Sequence, residues 1–121
     1  MVKTIMLIDD EVDLLEELGS WLHEHGYKVV TAKSGKEGLA RLKEISPHLI
    51  VLDVIMPSMD GFEVLSELKK DSKTSSIPVI MFTAKGETAS IMKALQMRAT
   101  DYIIKPFDAN ALLSMIRRYE N

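Results

Sequence analysis

The sequence has no cysteine, which excludes a disulfide framework and a thiolate metal site while leaving the compartment open. It has no long apolar run. The N-terminal Ile5-Met6-Leu7-Ile8 is far too short for a signal peptide or a transmembrane helix, so a cytoplasmic location is the expectation. Charge of one sign is also lacking: 15 Lys and Arg stand against 18 Asp and Glu, giving a net charge of −3 and a pI of about 5.6. Neither nucleic acid nor a membrane is therefore expected as a direct partner. There is no Gly-x-Gly-x-x-Gly and no Walker A string, which argues against nucleotide binding. Linkers, repeats and low-complexity segments are missing too. With 121 residues, 46% apolar and 27% charged, the chain fits one globular domain over 1–121, with nothing left for a second.

What is there is a strict alternation of apolar runs and amphipathic segments. Thr4–Ile8 reads as a buried strand entering the acidic loop Asp9-Asp10-Glu11. From about Glu11 to His25, Val12, Leu15, Leu18 and Leu22 fall three or four apart and form one helix face, which Gly26 ends. Tyr27–Ala32 reads as a strand. Ser34 caps a helix running to about Ile45, Glu37 completes a capping box, and Pro47 breaks the run. Leu49–Leu52 is a fully apolar strand ending on Asp53, and Asp60-Gly61 opens a helix with Phe62, Leu65 and Leu68 inward. Ile77–Phe82 is a strand ending on Thr83, and Ile91, Ala94 and Leu95 mark a helix from about Glu87 to Met97. Tyr102–Ile104 is a last strand ending at Lys105-Pro106. Asp108 caps a final helix with Ala109, Leu112, Leu113 and Ile116 inward. Five apolar strands joined by five helices imply a doubly wound α/β fold, with a parallel sheet covered on both faces.

Ligands of such folds sit at the carboxyl ends of the strands. Asp9 and Asp10 follow the first strand, Asp53 the third, Thr83 the fourth and Lys105 the fifth. Singly, each has an ordinary explanation: a solvated loop, a turn cap, β-propensity, a surface lysine. Together, four separate strand ends bring three carboxylates, a hydroxyl and an ammonium to one edge. Two carboxylates about 5 Å apart repel by roughly 3 kcal/mol at an effective dielectric of about 20, and one lysine offsets only part of that for three. Oxygen-rich carboxylate sites suit hard divalent cations, Mg²⁺ in particular. A carboxylate can also act as a nucleophile toward phosphorus, and a metal, an ammonium and a hydroxyl can neutralise the transferred group.

The strings Ile8-Asp9-Asp10-Glu11, Leu52-Asp53-Val54-Ile55-Met56-Pro57-Ser58-Met59-Asp60-Gly61, Phe82-Thr83-Ala84 and Asp101-Tyr102-Ile103-Ile104-Lys105-Pro106-Phe107 resemble the response-regulator receiver family of two-component signalling, across the whole chain. The resemblance implies a flavodoxin-like sheet of order 2-1-3-4-5. It implies Asp53 as phosphoacceptor, with Asp10, Asp53 and the Ile55 backbone carbonyl ligating Mg²⁺ and Asp9 acting through a water. Thr83 and Lys105 would hold phosphoryl oxygens, and Tyr102 would be the switch aromatic that turns inward when Thr83 moves. A sensor histidine kinase or histidine phosphotransfer protein would donate the group. The output partner would meet the 87–121 face, on a monomer or a phosphorylation-induced dimer. The chain would be a phosphorelay switch that catalyses only its own phosphotransfer and slow dephosphorylation. Receivers commonly have a cis bond at the position of Lys105-Pro106.

Arg98 departs from the family, which often has Gly there. A left-handed Arg is strained, so the fourth helix is expected to end irregularly. Ile55 and Lys85 flank the site at positions that tune phosphoryl lifetime in the family. His23, His25 and His48 read as surface or loop groups, Trp21 as partly buried, Met56 and Met59 as core filling, and Arg117-Arg118 as a solvated helix end. Two rival readings are an Asp-nucleophile, Mg²⁺-dependent phosphohydrolase and an unphosphorylated interaction module on the same fold. The first lacks a cap to enclose a substrate, and the second leaves a destabilising carboxylate cluster unused.

Overall fold

β3 (Leu49–Asp53) is buried along its whole length, as its unbroken apolar run requires of a strand covered on both faces. The computed structural model describes residues 2–84 and 87–120, and in it β3 is the central strand. Around it lie β1 (Thr4–Ile8), β2 (Lys28–Ala32), β4 (Val79–Ala84) and β5 (Asp101–Lys105), all parallel, in the order β2-β1-β3-β4-β5. The helices are α1 (Val12–Glu24), α2 (Gly35–Arg41), α3 (Gly61–Lys70), α4 (Thr88–Gln96) and α5 (Ala109–Tyr119). This is the flavodoxin-like arrangement that the alternation and the resemblance imply.

Side chains alternate across each strand, so the sheet divides two cores. Ile5 and Leu7, Leu49 and Val51, and Ile80 and Phe82 pack with Leu15, Leu18 and Leu22 of α1 and Leu112, Leu113 and Ile116 of α5. Met6 and Ile8, Ile50 and Leu52, and Val79 and Met81 pack on the other face with Val64, Leu65 and Leu68 of α3 and Ala94 of α4. Each fully buried Leu or Ile contributes about 2 kcal/mol relative to exposure, so this alternation fixes the register firmly.

Several local readings need correction. β4 starts two residues later than the apolar run and continues through Thr83 and Ala84, because those residues pair with Ile104 and Lys105. Thr83 is therefore inside a strand rather than beyond its end. α2 stops at Arg41, and only turn hydrogen bonds from Lys43, Glu44 and Ile45 carry the chain onward. Ser34 accepts from the Glu37 N–H, but the Glu37 carboxylate reaches the N–H of Lys33 rather than that of Ser34, so half of the predicted capping box forms. The complete box is at the start of α3, between Asp60 and Glu63. Val12, placed on the apolar face of its helix, and Leu95, one of the residues that mark the fourth, are both exposed. Val12 is the first residue of α1, past the sheet edge, and α4 is thinly covered, with Ala94 its one buried residue.

The end of α4 is regular. Arg98 is left-handed, with φ of 69°. Its N–H donates to the Leu95 carbonyl (3.0 Å) and the Ala99 N–H to the Ala94 carbonyl (2.9 Å). These are the two bonds of a Schellman motif, closed by the buried pair Ala94 and Ala99. The motif holds Arg98 in a conformation that costs a non-glycine residue about 1–2 kcal/mol. Arg98 also stands close enough to Lys69 to add its charge to the burial that lowers that ammonium's pKa. Arg98→Gly relieves both the strain and the repulsion, at the expense of a more flexible unfolded chain. It is expected to raise stability in urea unfolding by about 0.5–1 kcal/mol.

Candidate functional site

The carboxyl edge of the sheet gathers the predicted residues. Asp9 follows β1 directly and is only 1% exposed. Its Oδ1 accepts from the Glu11 N–H (2.9 Å), which fixes the loop into α1, and its Oδ2 accepts from Lys105 Nζ (2.8 Å). Asp53, the last residue of β3, is buried, and Asp10 is exposed. Carboxylate oxygens of Asp9, Asp10 and Asp53 all lie within 4.8 Å of one another. Lys105, the last residue of β5, stands 3.6 Å from Asp53 Oδ1. Its ammonium also lies over the Phe82 ring, which stacks on Phe107. The Lys105-Pro106 bond is cis.

Thr83 and Tyr102 belong to the opposite face. Thr83 is 1% exposed, and its Oγ1 is the one buried side-chain polar atom among the described residues without a hydrogen-bond partner. A hydroxyl in that state costs free energy unless something satisfies it. Tyr102 is half-buried against the core under α3 and α4, and it pairs with Met81, two residues before Thr83. A cleft of ≈ 310 Å³ opens over Asp10, Asp53, Ile55, Ala84 and Lys105. The Ile55 side chain is exposed at its rim. Lys85 lies outside the described residues.

Electrostatics shape the site. Burial pushes the Asp53 carboxyl up to about 7 from its ordinary 3.8; the charge of Asp9 adds to this, Lys105 opposes it, and Asp10 adds a smaller part. Burial lowers the pKa of Lys105, but its bond to Asp9 and the charges of Asp53 and Asp9 outweigh that and hold it above its usual value. Three clustered carboxylates with one ammonium form a hard, all-oxygen donor set able to hold a divalent cation, and exposed Asp10 leaves room for water ligands.

Two features escaped the sequence. Glu11 Oε1 accepts from Lys105 Nζ at 3.1 Å, so a third carboxylate shares that ammonium. Its only signal was its place in the acidic run. Gly61, which the sequence marks only as the opening of a helix, is needed for close approach. A Cβ there would lie 2.3 Å from the Asp53 carbonyl oxygen, while its N–H donates to the Val54 carbonyl (2.8 Å). The start of α3 thus sits directly on the backbone of Asp53.

Gly61→Ala must push that backbone aside, and is expected to cost about 2 kcal/mol or more in urea unfolding. In divalent-free buffer, Asp53 holds its proton more tightly folded than unfolded. Stability is then greatest below about pH 4 as far as this group is concerned, and it falls as pH rises toward 7, by up to about 3–4 kcal/mol. Asp53→Asn is expected to flatten that fall and to stabilise the cation-free protein at pH 7.5, as urea titrations at pH 5 and pH 7.5 would show.

Comparison with known proteins gives the family. A family model for the response regulator receiver domain matches residues 5–117. The protein named "Probable transcriptional regulator ycf27" of Cyanophora paradoxa is 42% identical over 98% of this chain and 50% of its own length. The chain thus spans about half the length of the curated relatives of that group. Protein PilH of Pseudomonas aeruginosa is 34% identical over 93% of both chains. Among solved structures, chemotaxis protein CheY4 of Vibrio cholerae superposes with a TM-score of 0.92 at 28% identity, over 98% of this chain and 99% of that one. The fold, the edge on which the acidic residues converge and the matched span agree, and the chain belongs to the response-regulator receiver family of two-component signalling.

Proposed function

We propose that this chain is a phosphorylation-dependent switch whose phosphoacceptor is Asp53. The observation that carries the reading is the joint arrangement at one sheet edge: clustered Asp9, Asp10 and Asp53, Lys105 within 3.6 Å of Asp53, and a buried Thr83 hydroxyl with nothing to bond. In the transfer, an Asp53 carboxylate oxygen forms a bond to phosphorus as the bond from phosphorus to the donor's imidazole nitrogen breaks. The leaving imidazole takes up a proton. Lys105 pairs with one phosphoryl oxygen and Thr83 donates its hydroxyl hydrogen to another. Asp10, Asp53 and the Ile55 carbonyl would hold Mg²⁺, with Asp9 acting through a water. When bound, Mg²⁺ supplies positive charge to the transferred group and to the crowded carboxylates. Hydrolysis reverses the state: a water oxygen bonds phosphorus, the Asp53 O–P bond breaks, and inorganic phosphate leaves.

The donor in this reading is a sensor histidine kinase or a histidine phosphotransfer protein, and the switch works in the cytoplasm. Among the described residues no helix is long and apolar enough to cross a membrane. Thr83 moving toward the phosphoryl group makes room for Tyr102 to turn inward, which biases a two-state equilibrium read at a distance. The exposed Met92, Leu95 and Ile104 give the 87–121 face an apolar surface for an output partner or a second copy. In a longer protein of the kind that spans twice this length, the same face would address an attached output region. Residues 1–121 form the whole receiver unit in this reading.

Intact mass after incubation with acetyl phosphate tests it. One added phosphoryl group is expected, requiring both Mg²⁺ and Asp53 and absent from Asp53→Asn. Labelling that persists in the variant would refute the assignment. Beryllofluoride with Mg²⁺ is expected to raise the melting temperature, since a ligand selective for the folded state must do so.

A further inference from the structure

Lys105 is shared, and the sharing is unequal. Its Nζ lies 2.8 Å from Asp9, 3.1 Å from Glu11 and 3.6 Å from Asp53. The two closest partners are not the phosphoacceptor. They differ sharply from each other. The Asp9 side chain is 1% exposed and pinned on its second oxygen by the Glu11 N–H. The Glu11 side chain is 64% exposed, and it reaches Lys105 through three rotatable bonds from the residue just before α1. One contact is fixed and the other is free to open.

We propose that Glu11 is a positioning residue of the phosphotransfer site: it holds the Lys105 ammonium toward the α1 side of the cleft in the resting state and competes with the phosphoryl group for it. The inference rests on the assignment of Asp53 as phosphoacceptor. A phosphoryl oxygen on Asp53 must draw Lys105 across the cleft. Asp9 cannot follow or withdraw, so the bond that breaks is the one to Glu11. The Glu11 carboxylate, at the cleft mouth beside exposed Asp10, also repels an incoming dianionic donor. Glu11 therefore sets the balance between the resting and loaded states without touching the reacting atoms.

The test compares wild type with Glu11→Gln, Glu11→Asp and the control Glu17→Gln. Glu17 lies in α1, the helix that Glu11 precedes, and its variant carries the same change in charge, but it makes no bond to Lys105. Three readouts are taken: beryllofluoride affinity with Mg²⁺, the half-life of the phosphoryl group on Asp53, and labelling rates with dianionic acetyl phosphate and with phosphoramidate, which carries less negative charge. Glu11→Gln is expected to tighten beryllofluoride and lengthen the half-life, each by about two- to fivefold, the range that an exposed carboxylate–ammonium pair usually carries. Labelling should rise more for acetyl phosphate than for phosphoramidate. Glu11→Asp, charged but one methylene shorter, should fall between wild type and Glu11→Gln. Glu17→Gln should match wild type. Equal affinity and half-life in Glu11→Gln and wild type would overturn the proposal. An equal gain in Glu17→Gln would overturn it as well, because the effect would then be bulk charge. Failure of wild type itself to take beryllofluoride or phosphoryl would instead sink the phosphoacceptor reading.

Discussion

Parallel pairing governs this molecule. Because β1, β3, β4 and β5 all point the same way, every one of them ends at the same edge, and residues from four distant stretches of sequence meet there. An antiparallel arrangement would have scattered Asp9, Asp53, Thr83 and Lys105 between two edges. Parallel strands must be covered on both faces by their crossover helices, so the alternation of large apolar side chains into two cores is what allows the site to exist. The site contributes little to that stability. The apolar strands bury Asp53 and hold Asp9 and Asp10 beside it, and burial first, with the neighbouring charge of Asp9 second, pushes the Asp53 carboxyl up to about 7. A cation held there would relieve that crowding, as would the loss of one charge.

The neighbourhood of Asp53 is also built by close approach. Gly61 brings the first turn of α3 onto the carbonyl of Asp53, and the capping box between Asp60 and Glu63 fixes where that turn begins. Lys105 comes from the end of β5, with its ammonium over the Phe82 ring and among three carboxylates. Backbone packing supplies the rigid half of the site and exposed side chains supply the adaptable half.

Much of this was legible in the sequence because the relevant signals are local. The apolar run Leu49–Leu52 needs no partner to be recognised as a buried strand, and the residue that ends it is then placed by topology alone. The same holds for Asp9 after β1 and Lys105 at the end of β5. What was not legible depends on pairing or on distance. The strand after Pro78 was displaced by two residues because its end is decided by β5, not by its own hydrophobicity. Val12 and Leu95 follow helical periodicity, yet periodicity says nothing about where the sheet stops or how thinly a helix is covered. The strain of a left-handed Arg points to an irregular end of α4, yet Arg98 takes the left-handed φ of 69° and the end is regular. A Schellman motif needs the backbone bonds of Arg98 and Ala99, and these can form around any residue held at that φ. The bond from Lys105 to Glu11 joins residues 94 apart and has no local signature.

The division of the strands into two faces has a consequence for how news of one event could travel. Asp53 and Lys105 share the face packed by α1 and α5, whereas Thr83 and Tyr102 share the face packed by α3 and α4. A group seated between Lys105 and Thr83 would therefore straddle the sheet and pull on both hydrophobic layers at once, from a single point at their common rim. Between the two layers stand the buried strands of the sheet, β3 at their centre. At this carboxyl edge the two layers share one rim, so a small anion seated there would bear on the helices of both faces at once.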